Sequence, residues 1–186
     1  MVDTGVYAAA HTLIERLALE LASTRAGAPC VATLHAGNMV PAYGCGCENA
    51  EGIAWTRVVS TGATVKFPQP LAGPVPRGQV VQLLAVIELG VDRCYWQTED
   101  NAMPDPPAIL DSMARDALDD AAAMRRAALC ADLGEVVLGL WTPRGPQGGI
   151  HGGTMTVTVL VDTCGCGAEM PPVDSIVPPL AGDPRG

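Results

Sequence analysis

Between residues 4 and 22, apolar side chains recur at every third or fourth position: Val6, Ala10, Leu13, Ile14, Leu17 and Leu21. That spacing gathers them on one face of a helix. Thr4 or Asp3 supplies a cap, and His11, Glu15, Arg16 and Glu20 fall mainly off the stripe. The segment therefore reads as an amphipathic helix lying on a sheet or on a neighbouring subunit. Beyond Pro29 the repeat shortens to two. Residues 30–35 and 53–60 read as short strands, with Gly37, Gly44, Gly46 and Gly52 breaking the chain between them into a meander. Pro68, Pro70, Pro74 and Pro76 keep 68–77 out of any helix or central strand and make it a peripheral extended loop.

The strongest strand pattern covers 80–95. Val81, Leu83, Ala85, Ile87, Leu89 and Val91 alternate on one side, while Leu84 and Val86 add apolar groups to the other, as in a central strand buried on both faces. This run is longer than the usual strand of about five or six residues, so Gly90 is expected to mark a bulge or the point where the chain leaves the sheet. Asp105-Pro106-Pro107 then opens a second helix, which Leu110, Met113, Ala117, Ala121, Met124 and Ala128 carry to about residue 133 before Gly134. Two further strands follow, 135–143 and 154–162. In the second, Met155, Val157, Val159 and Val161 oppose Thr154, Thr156 and Thr158, the alternation of a half-buried antiparallel strand. After Cys166, the prolines Pro171, Pro172, Pro178, Pro179 and Pro184 describe an extended tail, disordered alone or ordered on a partner. The fold expected is α+β. A mixed, mainly antiparallel sheet is packed by two helices and ends in a β-hairpin, with one domain over 1–166 and a Pro-rich tail over 167–186.

The hairpin connection stands out. Ten residues, 144–153, separate the two arms, against about two to five in an ordinary hairpin. The expectation is a loop projecting from the sheet to contact another chain. Its candidate interface residues are Arg144, Gly145, Pro146, Gln147, Gly148, Gly149, Ile150 and His151.

Charge narrows the partners. Eleven Lys+Arg against 20 Asp+Glu leave a net charge of −9, with Lys66 the only lysine, a balance that repels phosphate. No run approaches the roughly 20 apolar residues of a spanning helix, and the opening Met1-Val2-Asp3-Thr4 lacks a basic stretch before an apolar one. The chain reads as soluble and unsecreted, with no membrane partner.

Seven cysteines cannot all pair within one chain. Cys45-Gly46-Cys47 and Cys164-Gly165-Cys166 could set four thiolates around zinc, although structural zinc cysteines are more often separated by two to four residues. Disulfides are a second possibility. The reading adopted is reduced thiols packed as small hydrophobes near strand ends, with no metal or cofactor. Catalytic signatures are sparse. His11, His35 and His151 show no metalloprotease or deaminase spacing, and neither glycine-rich stretch has the strand-to-helix context of a phosphate cradle. A cysteine nucleophile beside His35 or His151 is conceivable, but sequence does not bring them together. Asp119 and Asp120 read as part of a solvated helix face.

Three segments carry a resemblance. Val91-Asp92-Arg93-Cys94, Asp119-Asp120-Ala121-Ala122-Ala123-Met124-Arg125-Arg126-Ala127, and Gly145-Pro146-Gln147-Gly148-Gly149 leading into Thr156-Val157-Thr158-Val159 resemble the head-to-tail proteins of actinobacterial phages with long noncontractile tails. The order of helix, meander, long strand, helix and hairpin is similar to that of their tail terminators, over roughly residues 1 to 163. Ile150 stands where similar sequences tend to have cysteine, which weakens any metal or disulfide there. The resemblance implies a noncatalytic virion protein in the neck, assembled in the host cytoplasm. A hexameric ring would cap the tail tube, stop polymerisation of the major tail protein and dock the head-to-tail stopper or connector. DNA would pass through its lumen without specific binding, past about −54 of charge by multiplication over six copies. The alternatives are another neck ring, stopper or adaptor, and a zinc-binding module built on Cys45, Cys47, Cys164 and Cys166.

Overall fold

Residues 5–40, 52–75, 81–95, 106–147 and 149–161 are described by a computed structural model. The first helix, α1, is Gly5–Leu21, and it buries Ala10, Leu13, Ile14, Leu17 and Leu21, the stripe expected from their spacing. Five strands follow the expected order: β1 Val31–His35, β2 Ile53–Thr64, β3 Gln82–Cys94, β4 Val136–Gln147 and β5 Ile150–Val161, with α2, Pro107–Cys130, between β3 and β4. They form one sheet in the order β1-β2-β3-β5-β4. Only the β1–β2 pair is parallel, so the α+β class with a mixed, mainly antiparallel sheet holds.

β3 lies at the centre, as its double-sided apolar pattern requires. Ala85, Ile87, Leu89 and Val91 join Met155, Val157, Val159 and Val161 of β5 in the core beneath the helices. From α2 that core receives Ala123, Met124, Ala127 and Ala128. The small side chains of Ala123, Ala127 and Ala128 let the two helices lie together on one face. Glu20 ties the helices at the surface, accepting hydrogen bonds from Arg126 Nε at 2.8 Å and Arg16 Nη2 at 2.5 Å. These bonds, Arg126 first, hold its carboxyl below the usual carboxylate range.

Several elements differ from expectation. α2 stops at Cys130, where Ala131 turns extended, and Gly134 takes a positive φ of 71° three residues later. β2 continues to Thr64 through a register shift between Val58 and Ser60, because a bulge lets the strand absorb a break in its alternation. Gly90 marks neither a bulge nor an exit. It pairs in register with Trp55 and Thr154, and a Cβ there would sit 2.1 Å from the Trp55 ring. The glycine makes room for an indole.

The largest correction concerns the hairpin. β4 runs to Gln147 and pairs with Ile150, so only Gly148 and Gly149 lie between the arms. No ten-residue projecting loop exists. The expected loop over 144–153 contained Pro146, yet β4 is an edge strand, where a residue without an N–H is tolerated. Gly149, with φ at 79°, supplies the left-handed turn residue. The tail expected over 167–186 lies outside the described residues, as do Cys45, Cys47, Cys164 and Cys166. Among the described residues, no helix is long and apolar enough to cross a membrane.

Candidate functional site

Where β3, the β4–β5 hairpin and α2 meet, five charged or titratable side chains gather at the end of the sheet. Alternation along β3 sends Asp92 and Arg93 to opposite faces. Arg93 follows the apolar stripe onto the helix side and is 3% exposed. Its Nε and Nη2 each donate to Asp120, at 2.9 Å, and Nη2 also donates to the Gly27 carbonyl at 3.0 Å. Asp120 is 2% exposed, which corrects the expectation of a solvated Asp119–Asp120 face. On a helix, adjacent residues point about 100° apart, and Asp120 turns inward to meet the guanidinium.

His151, directly across from Arg93 on β5, is buried on the same side. Its ring meets Tyr95 edge-on, with centroids 6.0 Å apart. Burial pushes the imidazole below its ordinary value, against the opposing pull of Asp116 and Asp120. A residue expected on a projecting loop is therefore part of the interior.

Asp92 occupies the other face and is also 2% exposed. Its Oδ2 accepts from Trp55 Nε1 at 3.1 Å and from Arg144 Nη1 at 3.0 Å, while Oδ1 is buried with no hydrogen-bond partner among the described residues. Arg144 reaches it across Gly152, which pairs with both residues. A Cβ on Gly152 would meet the Val91 carbonyl oxygen at 1.9 Å. Burial pushes the Asp92 carboxyl up, outweighing the Arg144 charge and the Trp55 hydrogen bond.

The sign of that shift gives a prediction. Because the folded state holds the Asp92 proton more tightly than the unfolded chain does, native stability falls as pH rises from the ordinary value of 3.8 through the raised one. Asp92→Asn removes this dependence. The variant is expected to match or exceed the parent in unfolding free energy at pH 7, and to lose that relative advantage near pH 3. Urea titrations at both pH values check it; a variant clearly less stable at pH 7 would mean that the carboxylate charge stabilises the fold.

Of the eight interface candidates, Arg144 and His151 thus turn into the junction from opposite sides. Ile150 is 5% exposed and pairs with Cys94, and Gly149 accepts a hydrogen bond from the Tyr95 amide at 2.8 Å. Gly145 and Pro146 are exposed on β4, and Gly148 lies outside the described residues. Sequence reasoning gave no role to Asp92, Arg93 or Asp120. The signal that could have found the first two is a pair of charges ending a strand otherwise buried on both sides.

The cysteines also depart from expectation. Cys30 and Cys94 are each disulfide-bonded, and Cys130 is a free, exposed thiol. Cys94 and His151 share the wall of a small cleft, but a disulfide sulfur is no thiolate, so this pair has no nucleophile to activate. Among the described residues, no three His, Cys, Asp or Glu side chains come together to hold a metal ion. Comparison with protein-family models and with curated proteins found no match.

Proposed function

We propose that the chain is a noncatalytic ring subunit in the neck of a long-tailed, noncontractile phage, occupying the tail terminator position. In this role six copies cap the finished tail tube, stop the major tail protein from polymerising further and offer a docking surface to the head connector. One observation carries the reading. Two of the segments that bear the sequence resemblance, 27 residues apart at their point of contact, meet at one junction, and residues flanking the third segment join them there. β3 contributes Asp92 and Arg93, α2 contributes Asp120, and the hairpin contributes Arg144, His151 and Gly152. A buried ion pair joining two of these segments gives them a structural reason to occur together.

The element order supports the same reading, with a helix, strands, a long central strand, a second helix and a terminal hairpin. The charge of −9 per chain suits a lumen through which DNA slides without adhering. A ring also needs unlike faces that meet around a closed rotation. Purified chain mixed with tail tubes and examined by native mass spectrometry is expected to yield a hexameric species. Monomer alone at every concentration, with and without tubes, would count against the assignment.

A further inference from the structure

The sheet is open, with β1 at one edge and β4 at the other. α1 packs over β1 and β2 while α2 packs over β5 and β4, so the domain ends in two unlike flanks. On the first flank a groove of about 550 Å3 runs between helix and strand, lined by Tyr7, His11, Glu15 and Ala18 of α1 and by Ala32 and Leu34 of β1. Glu15 and Ala32 are exposed there. The second flank bears projections instead. Asp116 and Arg126 turn toward α1, where they meet Arg25 and Glu20; at about 100° per residue, Leu118 and Arg125 then fall on the far side of α2. Leu118 is exposed, and Leu140, at the register shift between Leu138 and Trp141, is 88% exposed, the highest of the large apolar side chains among the described residues. A bulge re-aims the residue it inserts, and apolar groups held out in this way mark a contact surface. Arg125 is exposed as well and makes no ion pair among the described residues.

We propose that these two flanks meet between successive copies of this chain, with Leu140 of one copy seated in the α1/β1 groove of the next and Arg125 set against Glu15. The proposal rests on the ring reading above and names the surfaces that close it. The first argument is height. The β4 bulge lies opposite Thr156, between the Leu138–Val157 and Trp141–Met155 pairs. One row of pairs runs from Thr156 through Glu88 and Arg57 to His35 at the other edge, beside Leu34 of the groove. The helix wall stands at the same level, because the Ala10 carbonyl accepts a hydrogen bond from Thr56, the partner of Leu34. A copy set beside the first without sliding therefore brings Leu140 to the groove. The second argument is charge: an exposed arginine without an ion pair on one flank answers an exposed glutamate on the other. The third is that the flanks are unlike. A contact between different surfaces repeats from copy to copy and closes when the rotation allows, whereas a contact between like surfaces stops at two.

The test is native mass spectrometry of the full chain, alone and with tail tubes. Leu140→Asp, which alters an exposed side chain, and Ala32→Trp, which fills the groove, should each lower the ring population about tenfold or more while thermal unfolding stays unchanged. Arg125→Glu and Glu15→Arg should each weaken the ring, and the two together should restore it. Mixing the Leu140→Asp chain with the Ala32→Trp chain leaves one intact groove and one intact projection, so a one-to-one pair is expected and nothing larger. Rings formed by both Leu140→Asp and Ala32→Trp as well as by the parent overturn the proposal. So does a mixture that gives no pair or grows to a full ring, or a double charge swap no better than either single change. A pair in the mixture with no ring from the parent removes the ring reading and leaves this interface standing.

Discussion

Arg93→Ala will lower the unfolding free energy by about 3–5 kcal/mol, the range for removing one partner of a buried ion pair. The size follows from what is left behind. Asp120, 2% exposed, loses both hydrogen bonds from the guanidinium, and the Gly27 carbonyl loses a third. A carboxylate stranded in that position must take up a proton or draw water into the core. Denaturant unfolding of Arg93→Ala beside Arg93→Met with Asp120→Leu separates the charge from the shape. The double change removes both charges and keeps apolar bulk, so it should recover most of the loss. If the single variant fell by under 1 kcal/mol, the pair would be behaving as a solvated surface bridge.

Gly52→Ala is expected to cost about 3 kcal/mol or more, from two causes that add. Its φ of 99° lies in the left-handed region, where a Cβ costs roughly 1–2 kcal/mol. An alanine Cβ would also stand 2.0 Å from the Asp92 carbonyl oxygen, and overpacking of that kind costs about 1–3 kcal/mol. Gly37→Ala is the control. Gly37 has the same φ of 99° with nothing within 4 Å of an added Cβ, so it should lose only the conformational part. Equal losses in thermal unfolding at the two positions would place the whole effect in the backbone angle and none in the contact with β3.

These predictions rest on features that the sequence revealed unevenly. Both helices and the central strand were legible, because Leu13, Leu17 and Leu21, or Ile87, Leu89 and Val91, repeat with the period of their element and end up in the core. The hairpin was not. Gly145, Pro146 and Gly148 gave a strong turn signal, but local propensity does not reveal that β4 would be an edge strand able to carry proline. Gly90 was misread for a related reason: its missing side chain serves Trp55, a neighbour on another strand. The junction was least legible. Asp120 follows Asp119 on a polar stretch of helix, and nothing nearby in sequence indicates that Arg93, 27 residues earlier, turns in to meet it. Pairing across that distance is a tertiary fact. Only the resemblance singled out the three segments, and it did so without assigning those side chains a partner.

Averaged electron-microscopic images of intact virions containing this chain test the neck assignment most directly, because a subunit that is monomeric alone can still close into a ring on its tube. The account predicts a sixfold ring of this domain at the top of the tail, between tube and head connector, and tails of uncontrolled length when the chain is omitted. Particles that lack the protein at the neck, with tails of normal length and heads attached in its absence, would contradict it.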